Sequence, residues 1–146
     1  MHRIAIVVAD AARARIFTYE AGELAESDGA SPLCERADLI DSQRRPRPSH
    51  LHDDHRDAHE REVDRRFSGE IAQQLDGVLA EHPAGEVVIV ASHHMLGFLR
   101  EDTAELPRRG TPVHTLALDL TRETPAQLHD HLADRGLVPA RRRHDA

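Results

Sequence analysis

The sequence predicts an α/β domain built on one mixed five-stranded β-sheet. Three observations support this prediction. The chain opens with three short apolar or alternating segments joined by turn-rich residues, which is typical of an antiparallel meander. The apolar spacing then changes to intervals of three and four over one long segment, which indicates a helix. After it, strand-like and helix-like segments alternate, and strands joined through a helix run parallel by a right-handed crossover.

The first three predicted strands lie close together in the chain. Residues 3–10 form a continuous apolar and largely β-branched run, which is typical of a buried central strand. Residues 12–20 alternate and follow after a tight connection, with Arg13 and Arg15 on one face. Residues 33–41 alternate again. These segments predict the antiparallel meander β1-β2-β3.

A long amphipathic helix is predicted from about residue 54 to residue 81. Ser49 and Asp53 are candidate N-terminal caps, and Pro83-Ala84-Gly85 ends the helix. Spacings of three and four place its apolar residues on one stripe, formed by Val63, Phe67, Ile71, Leu75, Val78 and Leu79.

The rest of the chain alternates between strands and helices. Pro125 stands at a favoured first-turn position of the last helix, and Gly136 is its C-terminal cap. The predicted segments are a strand at 86–92, a helix at 93–106, a strand at 112–120 and a helix from Thr124 to Gly136. The element order is therefore βββ-α-β-α-β-α.

Length and composition indicate one domain over residues 1–138, with an irregular loop at 42–54 and a basic, disordered tail at 139–146. The net charge of −7 means that any contact with nucleic acid must come from a local patch. A single cysteine excludes an internal disulfide, and no apolar run is long enough to span a membrane. A soluble, cytoplasmic protein is expected.

The stretch "DSQRRPRPSHLHDDHRDAHEREVDRRF", residues 41–67, can be interpreted as an RNA-binding loop, a metal site or a solvated linker. As an RNA contact, it would use a patch of arginines facing phosphates. Against this, seven arginines meet seven acidic residues between positions 41 and 66, as expected of a solvated segment. The candidate RNA-binding residues are Arg44, Arg45, Arg47, Arg65 and Arg66.

The histidines of this stretch are candidate metal ligands. His55 and His59 are four residues apart and share a helix face, with His52 close by in the sequence. Imidazole pairs at this spacing can chelate Zn²⁺ or Ni²⁺. Mixtures of histidine and acidic residues are also ordinary at exposed helix starts.

Two further candidate sites lie where predicted strands end. Ser92, His93 and His94 follow a strand and begin a helix, where they could form an anion pocket together with Asp10. The other interpretation leaves one histidine in solvent and the other packed. The aspartates near the ends of predicted strands, Asp10, Asp41 and Asp119, are also compatible with a two-metal nuclease.

Three motifs, "VADAARARIF", "VVIVASHHMLGFLRE" and "LALDLTRETPAQLHDHL", resemble the bacterial host attachment protein family, whose members are described as required for attachment to host cells. The resemblance covers about residues 2–138. That family is similar to the middle domain of archaeal and eukaryotic peptide-chain release factors, which has a ribonuclease H-like fold and a Gly-Gly-Gln loop after its third strand. The counterpart here, "IDSQRRPRPSH", keeps a glutamine, Gln43, without the glycines.

The resemblance implies a cytoplasmic binding module associated with the ribosome or with structured RNA. Two enzymatic alternatives remain, namely release-factor-like hydrolysis of the peptidyl-tRNA ester through Gln43 and metal-dependent nuclease activity. A protein-interaction factor that influences host attachment is a third alternative. The resemblance implies no particular cofactor. The histidine-rich segment suggests zinc as a candidate.

Overall fold

The computed structural model describes residues 3–20, 33–41 and 54–140, with only the backbone for residues 54–57. Its strands are β1 (Arg3–Ala9), β2 (Arg13–Glu20), β3 (Leu33–Ile40), β4 (Glu86–Ala91) and β5 (Val113–Ala117). Its helices are α1 (Asp54–Glu81), α2 (His93–Asp102), α3 (Glu105–Arg108) and α4 (Pro125–Asp134).

The strands form one five-stranded mixed sheet in the order β3-β2-β1-β4-β5. β2 pairs antiparallel with both β1 and β3, whereas β4 pairs parallel with both β1 and β5. Only β2 therefore runs against the other strands. This arrangement is ribonuclease H-like, and it confirms the predicted fold class.

Helices cover both faces of the sheet, so β1 and β4 are buried on both sides. One face packs against α1 and α2, which contribute Phe67, Ile71, Leu75, Met95, Leu96 and Leu99. The other face packs against α4 through Leu128 and Leu132. The predicted apolar stripe of α1 is thus confirmed as its buried face.

Local chemistry accounts for the tight turn between β1 and β2. The Asp10 backbone N–H donates to the Arg13 carbonyl at 2.9 Å. The Asp10 Oδ1 atom accepts the backbone N–H groups of Ala12 and Arg13, both at 2.7 Å. An aspartate that bonds its own following backbone stabilises such a turn. The turn therefore holds Asp10 at the point where β1 ends.

Capping residues account for the limits of α4. Thr124 and Gln127 form a reciprocal capping box, with Pro125 in the first turn. Gly136 follows the helix with a φ of +72°, a conformation in which a Cβ atom would be strained. The segment after α4 folds back, because the His129 Nε2 atom donates to the Pro139 carbonyl at 2.6 Å. Residues 141–146 of the predicted tail lie outside the described part of the chain.

Two element limits predicted from sequence are wrong. The helix predicted at 93–106 ends at Asp102, where the Thr103 hydroxyl donates to the Leu99 carbonyl at 2.7 Å, and the short α3 follows. The strand predicted at 112–120 ends at Ala117, because Leu118 N–H bonds the Leu116 carbonyl at 3.2 Å and turns the chain away. No helix among residues 54–140 is long and apolar enough to cross a membrane.

Candidate site at the carboxyl edge of the sheet

The residues after four parallel strands meet at one edge of the sheet. β1, β3, β4 and β5 run in the same direction and therefore end together. Ser92 N–H bonds the carbonyl of Ala9 at the end of β1 at 3.4 Å, and Asp41 N–H bonds the carbonyl of Ala12, in the turn after β1, at 2.9 Å. Ligands of open α/β sheets bind at such edges. We call this region, formed by Asp10, Asp41, Ser92, Asp119 and Thr121, the carboxyl edge.

A buried threonine joins two aspartates there. The Thr121 Oγ1 atom lies 3.1 Å from Asp10 Oδ2 and 2.8 Å from Asp119 Oδ1. A hydroxyl has a single hydrogen, so it donates to one carboxylate at a time. The other oxygen pair is then a contact between two acceptors, which a bound cation would relieve. Asp10 and Asp119 thus lie on either side of the same hydroxyl.

Arg15 fixes the segment that carries these residues. Its side chain is only 9% exposed. The NH1 group donates to the carbonyls of Thr121 at 3.2 Å and Glu123 at 2.7 Å. The Nε and NH2 groups donate to the two carboxylate oxygens of Glu35 at 2.7 and 3.3 Å. The guanidinium also lies 4.9 Å from the centre of the Phe17 ring.

Sequence reasoning did not identify Arg15 as a site residue. The available signal is an arginine between Ala14 and Ile16 in a strand that is otherwise apolar over that stretch. Because a buried guanidinium requires partners for its donors, Arg15 connects β2, β3 and the segment after β5. It is a positioning residue for the carboxyl edge.

Arg13, two residues earlier, forms a more exposed bidentate pair with Asp38. Its Nε and NH2 groups donate to the two carboxylate oxygens of Asp38 at 2.9 and 2.7 Å. The hydrogen bond from Arg13 lowers the pKa of Asp38, and the same hydrogen bond raises the pKa of Arg13. The pair therefore ties the ends of β2 and β3 together beside the carboxyl edge.

Replacing Asp38 with asparagine should reduce stability in a pH-dependent way. A lowered folded-state pKa stabilises the protein above the ordinary carboxyl pKa of about 4, and this stabilisation is lost as the pH falls through the folded value. Because the two side chains are 38% and 42% exposed, we expect Asp38→Asn to cost about 1 kcal/mol or less at neutral pH. Urea unfolding from about pH 7 to about pH 3 should show the difference shrinking. A difference that stays constant would contradict the assignment.

Of the predicted anion-pocket residues, Ser92 and Asp10 lie at the carboxyl edge, whereas His94 bonds Asp64 of α1. Ser92 caps α2 by accepting from the Met95 N–H at 3.4 Å, and His93 is exposed. His94 turns toward α1, with its Nε2 atom 2.8 Å from the Oδ2 atom of the buried Asp64. His94 also contacts the Phe98 ring edge-on at 5.3 Å, yet 55% of its side chain is exposed. Both histidines therefore reach solvent, and the expectation that one of them packs in the interior is not met.

The predicted RNA-binding residues fall in two places. Arg44, Arg45 and Arg47, together with Gln43, lie outside the described residues. Arg65 and Arg66 are exposed on α1. Arg65 packs locally, with its guanidinium 5.2 Å from the centre of the Phe98 ring and 3.7 Å from Glu101. By helix rise it lies about 16 Å along α1 from residue 54.

Of the three predicted metal ligands, only His59 has a described side chain. His52 lies outside the described residues, only the backbone of His55 is described, and His59 is exposed on α1. Among the residues whose side chains are described, no group of three or more His, Cys, Asp or Glu side chains is placed to hold a metal ion. Zinc binding at the histidine-rich segment therefore stays a prediction.

The sheet order and the aspartates after its parallel strands define a ribonuclease H-like α/β domain. The chain belongs to the family described as protein required for attachment to host cells, whose model matches residues 5–132. No curated protein matches the sequence.

The solved structures to which the chain is similar include three from Aquifex aeolicus and Thermus thermophilus. The type II variant of the Aquifex aeolicus Ppx/GppA phosphatase is 17% identical with a TM-score of 0.41, and 80% of this chain and 36% of that chain are covered. A second Aquifex aeolicus PPX-GPPA structure is 16% identical with a TM-score of 0.40 and the same coverage. Thermus thermophilus RuvC is 10% identical with a TM-score of 0.39, covering 98% of this chain and 84% of that chain. The chain thus spans about a third of the phosphatases it matches.

Proposed function

We propose that this family member is an RNA-binding module, associated with ribosomes or structured RNA, that uses the segment 42–53, which follows Asp41 of the carboxyl edge in the chain. The observation that supports the proposal is the hydrogen bond from Asp41 N–H to the Ala12 carbonyl. This bond holds Asp41, the residue that precedes the arginine-containing segment in the chain, beside the turn between β1 and β2. The proposal therefore assigns the RNA contact to Arg44, Arg45 and Arg47.

The start of α1 lies on the same side of the sheet as the carboxyl edge. α1 starts at Asp54 and rises about 42 Å, nearly twice the length of the central strands. Its Asp64 contacts His94 in the first turn of α2, which itself starts from the carboxyl edge. Residues 58–62, before this contact, are mostly exposed. The first turns of α1 therefore lie on the same side of the sheet as Asp41 and can face a large partner.

Charge limits how the surface can bind RNA. The chain has a net charge of −7, and Asp10 and Asp119 at the carboxyl edge repel phosphate. Attraction must come from the arginines of the segment, so few phosphates are neutralised. Binding is accordingly expected to be modest and to depend on salt.

Changing Arg44, Arg45 and Arg47 together to alanine should weaken binding to ribosomes or structured RNA. Loss of three phosphate contacts should flatten the slope of log affinity against log salt by about two to three. The measurement is co-sedimentation or fluorescence anisotropy from about 50 to 200 mM salt. A matched control, Arg108, Arg109 and Arg135 changed to alanine, removes the same charge from exposed positions elsewhere. An equal slope in both triple variants would contradict the assignment.

Gln43→Ala separates binding from release-factor-like catalysis. One neutral amide contributes only about 1 kcal/mol, so RNA binding should change little. Ester hydrolysis through Gln43 would instead be abolished. If the unmodified, folded protein shows no association at about 50 mM salt, where phosphate contacts are strongest, the RNA-binding function is excluded.

A metal-dependent nuclease is a second candidate function, favoured by the approach of Asp10 and Asp119 to the same Thr121 hydroxyl. Carboxylates that converge in this way are suited to a divalent cation, which would activate water and stabilise charge on a phosphodiester. In this candidate function the two aspartates hold the cation and Thr121 orients them.

Asp10→Asn tests this candidate with little risk to the fold. The amide oxygen can still accept from the Ala12 and Arg13 backbones, and the amide NH2 can donate to Thr121. Stability should be equal or higher because two carboxylates no longer approach one hydroxyl. Cleavage of labelled RNA or DNA in Mg²⁺ or Mn²⁺ should fall at least about 100-fold if Asp10 holds the metal. Equal cleavage by the variant, or none by the unmodified protein, would exclude this site.

A further inference from the structure

β5 is an open edge of the sheet. It pairs with β4 on one side, and it is the last strand in the sheet order of the described residues. None of its five residues is buried, whereas five of the six residues of β4 are. An unpaired strand edge presents backbone N–H and C=O groups to which another chain can bond.

The register shows which backbone groups face outward. The Pro112 carbonyl accepts from Val87 N–H at 2.9 Å, so residue 112 points its backbone toward β4. Because bonding direction alternates along a parallel strand, residues 113, 115 and 117 point their backbone groups away from β4. These three residues offer N–H and C=O groups to a sixth strand.

The two edges of the sheet differ in how they are protected. β3, at the opposite edge, carries the charged residues Glu35, Arg36 and Asp38, and its pairing with β2 has an irregularity between Ile16 and Phe17. Charges and bulges discourage edge pairing. From Val113 to Leu118 there is no Asp, Glu, Lys or Arg, and the β4–β5 pairing is regular. β5 therefore lacks the features that protect β3.

Two arginines lie beside this edge. The Arg100 NH2 group donates to Thr115 Oγ1 at 3.0 Å in the middle of β5, and exposed Arg109 precedes Pro112 by three residues. Within the described ranges neither forms an ion pair with a carboxylate, whereas neighbouring Arg108 bonds Glu105 at 3.0 Å. Two guanidinium groups with no carboxylate partner among the described residues thus lie beside the first half of β5, where His114 pairs with Glu86 at 3.1 Å.

We propose that the β5 edge binds an extended, acidic segment of a partner protein as a sixth strand. The main-chain groups of residues 113, 115 and 117 supply hydrogen bonds without regard to sequence. Arg100 and Arg109 select acidic side chains at the end of the segment that lies over the start of β5. For an antiparallel partner, this is the carboxyl-terminal end of the segment.

A pair of synthetic peptides tests the proposal with the full-length protein. One has five alternating valine and threonine residues followed by three glutamates, and the other ends in three lysines, with both termini of each blocked. The glutamate peptide should bind in calorimetry and shift the amide NMR signals of residues 113–117, and its affinity should fall with added salt. The lysine peptide should bind at least about tenfold more weakly.

Three variants locate the site. The double variant Arg100→Ala/Arg109→Ala should weaken binding of the glutamate peptide about tenfold. The exposed control Arg122→Ala should leave this binding unchanged. Ala117→Pro removes a backbone N–H that points away from β4 and makes no bond to it. Because this N–H would bond the main chain of any added strand, the substitution should weaken binding of both peptides. If the proline variant does not fold by circular dichroism, the arginine pair still decides the result.

Three outcomes would overturn the proposal. They are no binding of the glutamate peptide, equal binding of the lysine peptide, and unchanged binding by the double arginine variant. A second copy of the chain is the other partner that could pair with an open strand edge, and sedimentation velocity tests for it. A concentration-dependent dimer that is lost in Ala117→Pro would show that a second copy of the chain fills it, in place of an acidic partner segment.

Discussion

Ile6→Asp is expected to leave the protein unfolded under conditions in which the unmodified chain is folded. Ile6 is 0% exposed in the central strand β1, where it pairs with Phe17 of β2 and Val88 of β4. An unpaired carboxylate at this position costs several kcal/mol, comparable with the roughly 5–15 kcal/mol that stabilise a typical domain. Circular dichroism should show loss of native structure, and Val8→Asp should behave in the same way.

The matched control is Ile40→Asp at the end of β3. Ile40 is 73% exposed, so the same substitution buries no charge there. It should change the free energy of unfolding by about 0.5 kcal/mol or less. Retained folding of both Ile6→Asp and Val8→Asp would contradict the placement of β1 at the centre of the sheet.

Arg15→Met should have the second largest effect and should act on the carboxyl edge. Methionine keeps most of the apolar contact with Phe17 but removes the donors to Glu35 and to the carbonyls of Thr121 and Glu123. Leaving partly buried acceptors without donors should cost about 2–4 kcal/mol. The measurement is urea unfolding, combined with hydrogen exchange of the backbone amides.

Hydrogen exchange distinguishes positioning from general stabilisation. In Arg15→Met, amides of residues 118–124 should exchange faster under native conditions, while those of β1 and β4 exchange as the global stability dictates. Arg13→Met is the control, because the Arg13–Asp38 pair is far more exposed and should cost about 1 kcal/mol or less. Arg15 does not hold this segment if both methionine variants lower the free energy of unfolding equally and residues 118–124 keep their protection from hydrogen exchange.

The sequence by itself determined most of the secondary structure, because the signals involved are local. Intervals of three and four between apolar residues predicted α1 with the limits that the structure shows. The Thr124-Pro125 start and the Gly136 end of α4 were predicted from capping chemistry within a few residues. Three strands in succession followed by strands joined through helices also predicted the mixed sheet, since connection length restricts strand direction.

Only the tertiary structure decided the limits of α2 and β5 and the composition of the carboxyl edge. Arg15 bonds the carbonyls of Thr121 and Glu123, which lie more than 100 positions away in the sequence, and Thr121 bonds Asp10, which lies 111 positions away. Periodicity assigns a residue to a face of an element, but it does not tell which distant backbone or side chain lies opposite. His94 illustrates the same limit, because its partner is Asp64 of α1 and not Asp10. The pairing of polar groups is set by how strands and helices stack, and that information is not local to any segment of the sequence.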